Sequence, residues 1–151
     1  NRRGFMERVE YYINIPSNCG MKAILLFADM DSLKVVNDKF GHKDGDFALK
    51  NIANILSQSF GPHDVIGRIG GDEFVCFAFI DDSDYVTEVQ RKIKDFSAEL
   101  NATCGKPYFI EMSVGVTEFV CDGEQTIEDL LSQADTALYS NKRYKRMSIL
   151  K

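Results

Sequence analysis

The chain has 151 residues, 44% of them hydrophobic, which is enough apolar material for one compact domain and leaves no room for a second. Lys and Arg number 18 against 23 Asp and Glu, and the formal charge of −5 argues against the broad basic face that nucleic-acid binders present. No apolar run approaches the roughly 20 residues of a membrane helix and no signal peptide is visible, so no direct membrane contact is expected of this domain. The cysteines at 19, 76, 104 and 121 lack paired zinc-ligand spacing, and all read as reduced, structural thiols, Cys76 within an apolar run.

The opening Asn1-Arg2-Arg3-Gly4-Phe5 carries no initiator methionine, so residues 1–151 are expected to be one domain of a longer protein. Gly4 to Ile13 mixes apolar and charged residues as a short helix does, and Pro16, Ser17, Asn18 and Gly20 make a turn-rich connection. Lys22 to Ala28 predicts a strand. Its interior, Ala23-Ile24-Leu25-Leu26-Phe27, is continuously apolar, the pattern of a central strand covered on both faces. Ser32 to Phe40 predicts a helix and Gly41 to Gly45 a break. A longer helix, with Asp46 near its start, then runs through Phe60 with Phe47, Ile52, Ile55 and Leu56 along one face.

Val65 to Ile69 and Phe74 to Ile80 predict two short strands around a Gly-Gly turn, most economically a hairpin. Asp82 to Leu100 predicts an amphipathic helix and Phe109 to Phe119 a strand. Thr126 to about Tyr144 predicts a final helix capped by Thr126, and Met147 to Leu150 a short last strand. The set is α+β, with a central five-stranded, mostly antiparallel sheet flanked by helices.

Two acidic pairs stand at the ends of apolar segments: Asp29-Met30-Asp31, and Gly70-Gly71-Asp72-Glu73-Phe74 in the hairpin. Either pair alone is ordinary solvated surface. Together they bring oxygen ligands from two strand ends toward one hard cation such as magnesium, which keeps water or phosphate oxygens in its remaining positions. Asp29 and Asp31 are expected on opposite faces of the extended segment, with Asp29 toward the site and Asp72 or Glu73 as its partner. The Met30 carbonyl completes the set. Lys34, Asn37, Asp38, His42 and Asp46 fall in the intervening segment with polar recognition potential, and the whole points to a metal-nucleotide site.

These residues resemble the GGDEF family of bacterial diguanylate cyclases. Asp29 to Asp38, Gly41-His42 and Gly45-Asp46 are similar to the family's nucleotide-binding segment, and Arg68-Ile69 leading into Gly70 to Phe74 to its signature hairpin. Ser113-Val114-Gly115-Val116, Leu130 to Tyr139 and Lys142 resemble the later blocks, so the resemblance spans essentially the whole chain. It implies a fold of the nucleotidyl-cyclase and polymerase-palm (ferredoxin-like) type and a cytoplasmic domain, whether free or joined to a membrane-anchored sensor. It also implies condensation of two GTP into cyclic di-GMP with release of pyrophosphate. The partner is then a second such domain in a transient or sensor-driven homodimer, and the missing upstream region carries the sensor or dimerisation element. The alternative is a catalytically silent GTP-binding regulatory module.

Carried over by position, the resemblance assigns Asp29, the Met30 carbonyl and Asp72 to a Mg²⁺ or Mn²⁺ ion, and Asp72, Glu73 and Lys34 to catalysis. Asn37, His42 and Asp46 become contacts to guanine and substrate, with Leu33 standing where the family commonly has phenylalanine. An amide and a carboxylate suit the donor and acceptor edge of guanine, and a carboxylate meets an acceptor on adenine N1. The backbone N–H groups of Met30 to Leu33 are expected to cradle phosphate. Lys142 and Arg146 match a late phosphate-contacting pair, although Lys145 and Met147 replace the small and polar residues that usually flank the arginine. Members with product inhibition carry Arg-x-x-Asp before the hairpin. Here that segment is Gly61-Pro62-His63-Asp64, so Asp64 is retained, the guanidinium is lost, and feedback through an inhibitory site is expected to be weak or absent.

Overall fold

In the computed structural model, which describes residues 1–81 and 84–149, the apolar run after Lys22 lies at the middle of a sheet. In chain order the elements are α1 (Arg2–Ile13), a 3-10 turn at Pro16–Asn18, β1 (Lys22–Met30), α2 (Leu33–Phe40), α3 (His42–Ser59), β2 (Val65–Arg68) and β3 (Glu73–Ile80). Then come α4 (Asp84–Thr103), β4 (Met112–Val120) and α5 (Ile127–Ile149). The strands run in the order β2-β3-β1-β4, every neighbouring pair antiparallel. β1 pairs along its length with β3, from Lys22↔Ile80 to Asp29↔Glu73, and with β4, from Lys22↔Val120 to Met30↔Met112.

Alternation sorts the β1 side chains between two helical layers. Ile24, Leu26, Ala28 and Met30 join Val36 of α2, Ala48, Ile52 and Leu56 of α3, and Val89 and Ile93 of α4. Ala23, Leu25 and Phe27 join Phe5 and Val9 of α1 and Leu130, Leu131, Ala134 and Leu138 of α5. Both faces are therefore covered, as the unbroken apolar run requires. The four cysteines are free, and burial pushes the Cys76 thiol far above its ordinary range. Among the described residues no helix is long and apolar enough to cross a membrane.

The structure corrects several boundaries. The sheet has four strands among the described residues, not five. Met147 to Ile149 continue α5, in a segment rich in the straight-chain helix formers Lys, Arg and Met, and Leu150 lies outside the described residues, as do Asp82 and Ser83 at the expected start of α4. The expected break at Gly41 to Gly45 shrinks to Gly41 alone. With φ 94°, Gly41 ends α2 through its N–H to the Asn37 carbonyl, at 2.9 Å, and its own carbonyl accepts from Gly45 N–H at 3.2 Å in the first turn of α3. Gly45 is helical, and a Cβ there would lie 1.8 Å from Asn37 Oδ1, so its bareness is what lets the Asn37 amide lie on α3. β4 starts later than expected because the Asn101 amide takes both backbone groups of Ile110, accepting from its N–H at 2.8 Å and donating to its carbonyl at 2.9 Å.

One close approach governs how α5 sits. A Cβ on Gly115 of β4 would lie 2.2 Å from both the Ala134 carbonyl oxygen and the Leu138 nitrogen, so the helix backbone rests directly on the strand. Asn141 then donates to the Val114 carbonyl one turn further on. Gly115→Ala is expected to destabilise the domain by about 1–3 kcal/mol, the usual cost of overpacking against atoms that cannot turn away. At Gly71 a Cβ meets nothing within 4 Å, and Gly71→Ala is expected to change stability by less than about 0.5 kcal/mol. Urea unfolding midpoints check both, and an unshifted Gly115→Ala midpoint would rule out the close contact.

Candidate active site at the end of the central strand

The site forms where β1 leaves the sheet and the β2–β3 hairpin turns beside it. Asp29 stands opposite Glu73, and residues directly opposite in an antiparallel pair share a face. The Met30 N–H donates to the Asp72 carbonyl at 3.1 Å, and the hairpin closes through Ile69 N–H to the Glu73 carbonyl at 3.0 Å. Arg68 holds the tip by donating from Nε to the Gly70 carbonyl at 3.2 Å and from Nη2 to the Gly71 carbonyl at 2.7 Å. Neither Gly70 nor Gly71 has a positive φ, and Gly71 faces open space, so no packing or turn requirement of this chain explains the second glycine. The tip is simply bare.

Asp29 is nearly enclosed. Its Oδ2 accepts from Lys142 Nζ of α5 at 2.6 Å, while Oδ1 is buried and receives no hydrogen bond. Burial raises its pKa to about 6; the Lys142 hydrogen bond opposes that rise and the neighbouring Asp72 carboxyl adds to it. An unpartnered buried carboxylate oxygen beside a second acid is short of positive charge, and an oxygen-seeking cation fits it. No ready cluster of three His, Cys, Asp or Glu exists among the described residues, so a cation here would lean on backbone, water or ligand oxygens. The Met30 side chain is buried in the core, which leaves its backbone carbonyl as the group it can offer.

Asp31 does not point away from Asp29. Residues two apart on a strand share a face, and both acids meet α5, whose Lys145 Nζ lies 2.8 Å from Asp31 Oδ2. Lys145 also donates to the Met112 carbonyl at 2.8 Å, and Ser113 Oγ donates to Asp31 Oδ1 at 2.8 Å. Lys145 and Ser113 were not among the expected site residues. The signal was present in the spacing: two acids two apart on a strand facing two lysines three apart on a helix.

The expected phosphate cradle narrows. The Met30 N–H is taken by Asp72 and the Asp31 N–H by the Glu111 carbonyl at 2.8 Å, which leaves the amides of Ser32 and Leu33. Ser32, at φ 61°, is the non-glycine residue with positive φ among the described residues, and its side chain makes no cap to α2. Such a conformation costs roughly 1–2 kcal/mol and turns the chain sharply from strand into helix. Leu33 packs on the core, whereas Lys34 is exposed with no ion pair among the described residues. Asn37 lies on Gly45, next in sequence to exposed Asp46, and exposed His42 opens α3. Asp46, Lys43, Phe47, Lys50, Arg68 and Phe74 line an open cleft of about 650 Å³ between α3 and the hairpin.

A second cleft, of about 220 Å³, is lined by Asp31, Ser113, Lys142, Lys145 and Arg146. Lys142 and Arg146 differ in availability: the lysine is bound to Asp29, while Arg146 is exposed with no carboxylate partner among the described residues. Asp44 tethers the loop after α4. It accepts from Tyr108 Oη at 2.7 Å and pairs with Lys106 at 3.0 Å, and these partners hold its carboxyl below the usual range. Gly61 and Asp64 lie apart from both clefts. Asp64 Oδ2 caps its own turn by accepting from Gly61 N–H at 2.7 Å, and it also accepts from Tyr85 Oη of α4.

Comparison with known proteins agrees with this geometry. Diguanylate cyclase DgcP of Escherichia coli (strain K12) is 30% identical over 148 residues, 97% of this chain and 43% of that protein. Diguanylate cyclase DgcP of Pseudomonas aeruginosa is 34% identical over 151 residues, 97% of this chain and 22% of that protein. The chain thus spans less than half the length of these curated relatives. The solved GGDEF domain of YfiN (TpbB) from Pseudomonas aeruginosa matches with a TM-score of 0.83 at 27% identity, covering 95% of this chain and 84% of that one. A family model described as "Diguanylate cyclase, GGDEF domain" matches residues 1–148, and the chain belongs to that family.

Proposed function

We propose that this domain condenses two GTP molecules into cyclic di-GMP, acting as a pair with a second copy of itself. The observation that carries the reading is the buried, unpartnered Oδ1 of Asp29 beside Asp72, on a carboxylate paired with Lys142, which itself lines a cleft with Lys145 and Arg146. The acids suit a divalent cation and the basic side chains suit a polyphosphate. Asp29, Asp72 and the Met30 carbonyl would hold Mg²⁺ or Mn²⁺, which when bound supplies neutralisation of phosphate charge.

Each 3′-hydroxyl oxygen forms a bond to the α-phosphorus of the other nucleotide as that phosphorus loses its bond to pyrophosphate. Two pyrophosphates leave, and the two hydroxyl protons pass to base. Asp72 assists that deprotonation, with Glu73 bordering the same cluster. Lys34, Arg146 and the Ser32 and Leu33 amides meet phosphate oxygens. Asn37, His42 and Asp46 bind the guanosine end along the α2–α3 elbow, and the bare Gly70-Gly71 tip lets a nucleotide approach backbone closely. Because each domain holds one GTP, catalysis requires two sites to face one another. A cytoplasmic setting and an upstream sensor or dimerisation region belong to this reading.

A domain held as a dimer by a fused coiled coil, given GTP and Mg²⁺, is expected to yield cyclic di-GMP and pyrophosphate. GTP binding without either product would favour the silent regulatory module instead. Asp72→Asn is expected to lower turnover by about 100-fold or more with an unchanged thermal midpoint, and substantial residual activity would remove Asp72 from its role. Asp46→Asn is expected to lose the preference for GTP over ATP in the same assay. Added cyclic di-GMP is expected to inhibit wild type and Asp64→Asn equally, since Asp64 serves its own turn and Gly61 offers no guanidinium. Tight inhibition that depends on Asp64 is the contrary result.

A further inference from the structure

The α5 cleft contains a carboxylate where a polyanion is to bind, and that is an electrostatic problem. Asp31 is only partly solvated, with its side chain 22% exposed, so water screens it incompletely. Lys145 sits on it at 2.8 Å and donates equally closely to the Met112 carbonyl, while Ser113 satisfies the other carboxylate oxygen. Two of the three ammonium donors of Lys145 are thus committed at Asp31 and Met112, which fixes its charge beside the Asp31 carboxylate. Lys142 is committed to Asp29 in the same way.

We propose that Lys145 is a positioning residue for nucleotide binding whose task is to cancel the charge of Asp31, so that the cleft beside Arg146 accepts a triphosphate. This rests on the nucleotide reading given above. The charged side chains lining the cleft are Lys142, Lys145 and Arg146 against Asp31 and Glu111, an excess of one positive charge; without Lys145 the excess vanishes and the Asp31 carboxylate faces the phosphates without its cation. The exposed Glu111 carboxylate nearby is screened by solvent and weighs less. A part-exposed ion pair adds little to folding, so the effect falls on the ligand rather than the fold.

The test is equilibrium binding of 3′-deoxy-GTP with Mg²⁺, which lacks the attacking hydroxyl and cannot turn over, measured by calorimetry on the intact chain. Lys145→Met is expected to weaken binding about three- to tenfold with an unchanged thermal midpoint, and Lys145→Arg to stay near wild type. Adding Asp31→Asn to Lys145→Met is expected to restore affinity to within about twofold of wild type, because the charge to be cancelled is gone. Unaltered binding by Lys145→Met overturns the inference, and so does failure of Asp31→Asn to rescue it, which would make Lys145 a direct phosphate contact. If wild type binds no 3′-deoxy-GTP while remaining folded, the nucleotide reading itself falls and takes this inference with it.

Discussion

The contact on which the site depends is the bare backbone of Gly115 against α5. Because nothing projects from the strand there, the helix lies close enough for its later turns to reach past the sheet edge. Lys142 and Lys145 then arrive at Asp29 and Asp31, the two acids that β1 presents on that face. A side chain at Gly115 would lift the helix and move both lysines together. The glycine is far from the chemistry in sequence and governs it through packing.

The same economy appears on the opposite face. Gly45 makes room for Asn37, Gly41 supplies a one-residue elbow, and the result places Asn37 against the first turn of α3 where His42 and Asp46 stand. Two glycines thus set the geometry of one side of the site and a third sets the other. Gly71 is of a different kind: its bareness serves no contact within the chain and leaves the hairpin tip open to an approaching molecule.

Electrostatically the site is built from acids that the fold partly buries and then compensates incompletely. Asp29 has one oxygen satisfied by Lys142 and one left over, whereas Asp31 is fully satisfied by Ser113 and Lys145. That asymmetry separates the acid suited to a cation from the acid that has been neutralised. Asp64 illustrates the converse. An acid in the Arg-x-x-Asp position can persist without its arginine because it caps its own turn and anchors Tyr85 of α4, a role in folding that needs no ligand.

Much was legible in the chain itself. The unbroken apolar run from Ala23 to Phe27 favoured a central strand covered on both faces, a hairpin was the economical reading of the Gly70 to Phe74 segment between two strand patterns, and the structure has both. These readings are local, resting on side-chain period and turn chemistry within a few residues. What failed was non-local or hung on a terminus. A fifth strand from Met147 gave way to helix propagating from α5, and the start of β4 moved because Asn101, distant from it in sequence, claimed the backbone of Ile110. The facing of Asp31 with Asp29 was implicit in strand geometry, yet its partner Lys145 lies more than a hundred residues away. Local pattern therefore determined which acids stand as candidates at the strand ends, while the tertiary structure decided which of them is compensated and which is left open, because only packing of α5 onto β4 brings the compensating charges into range.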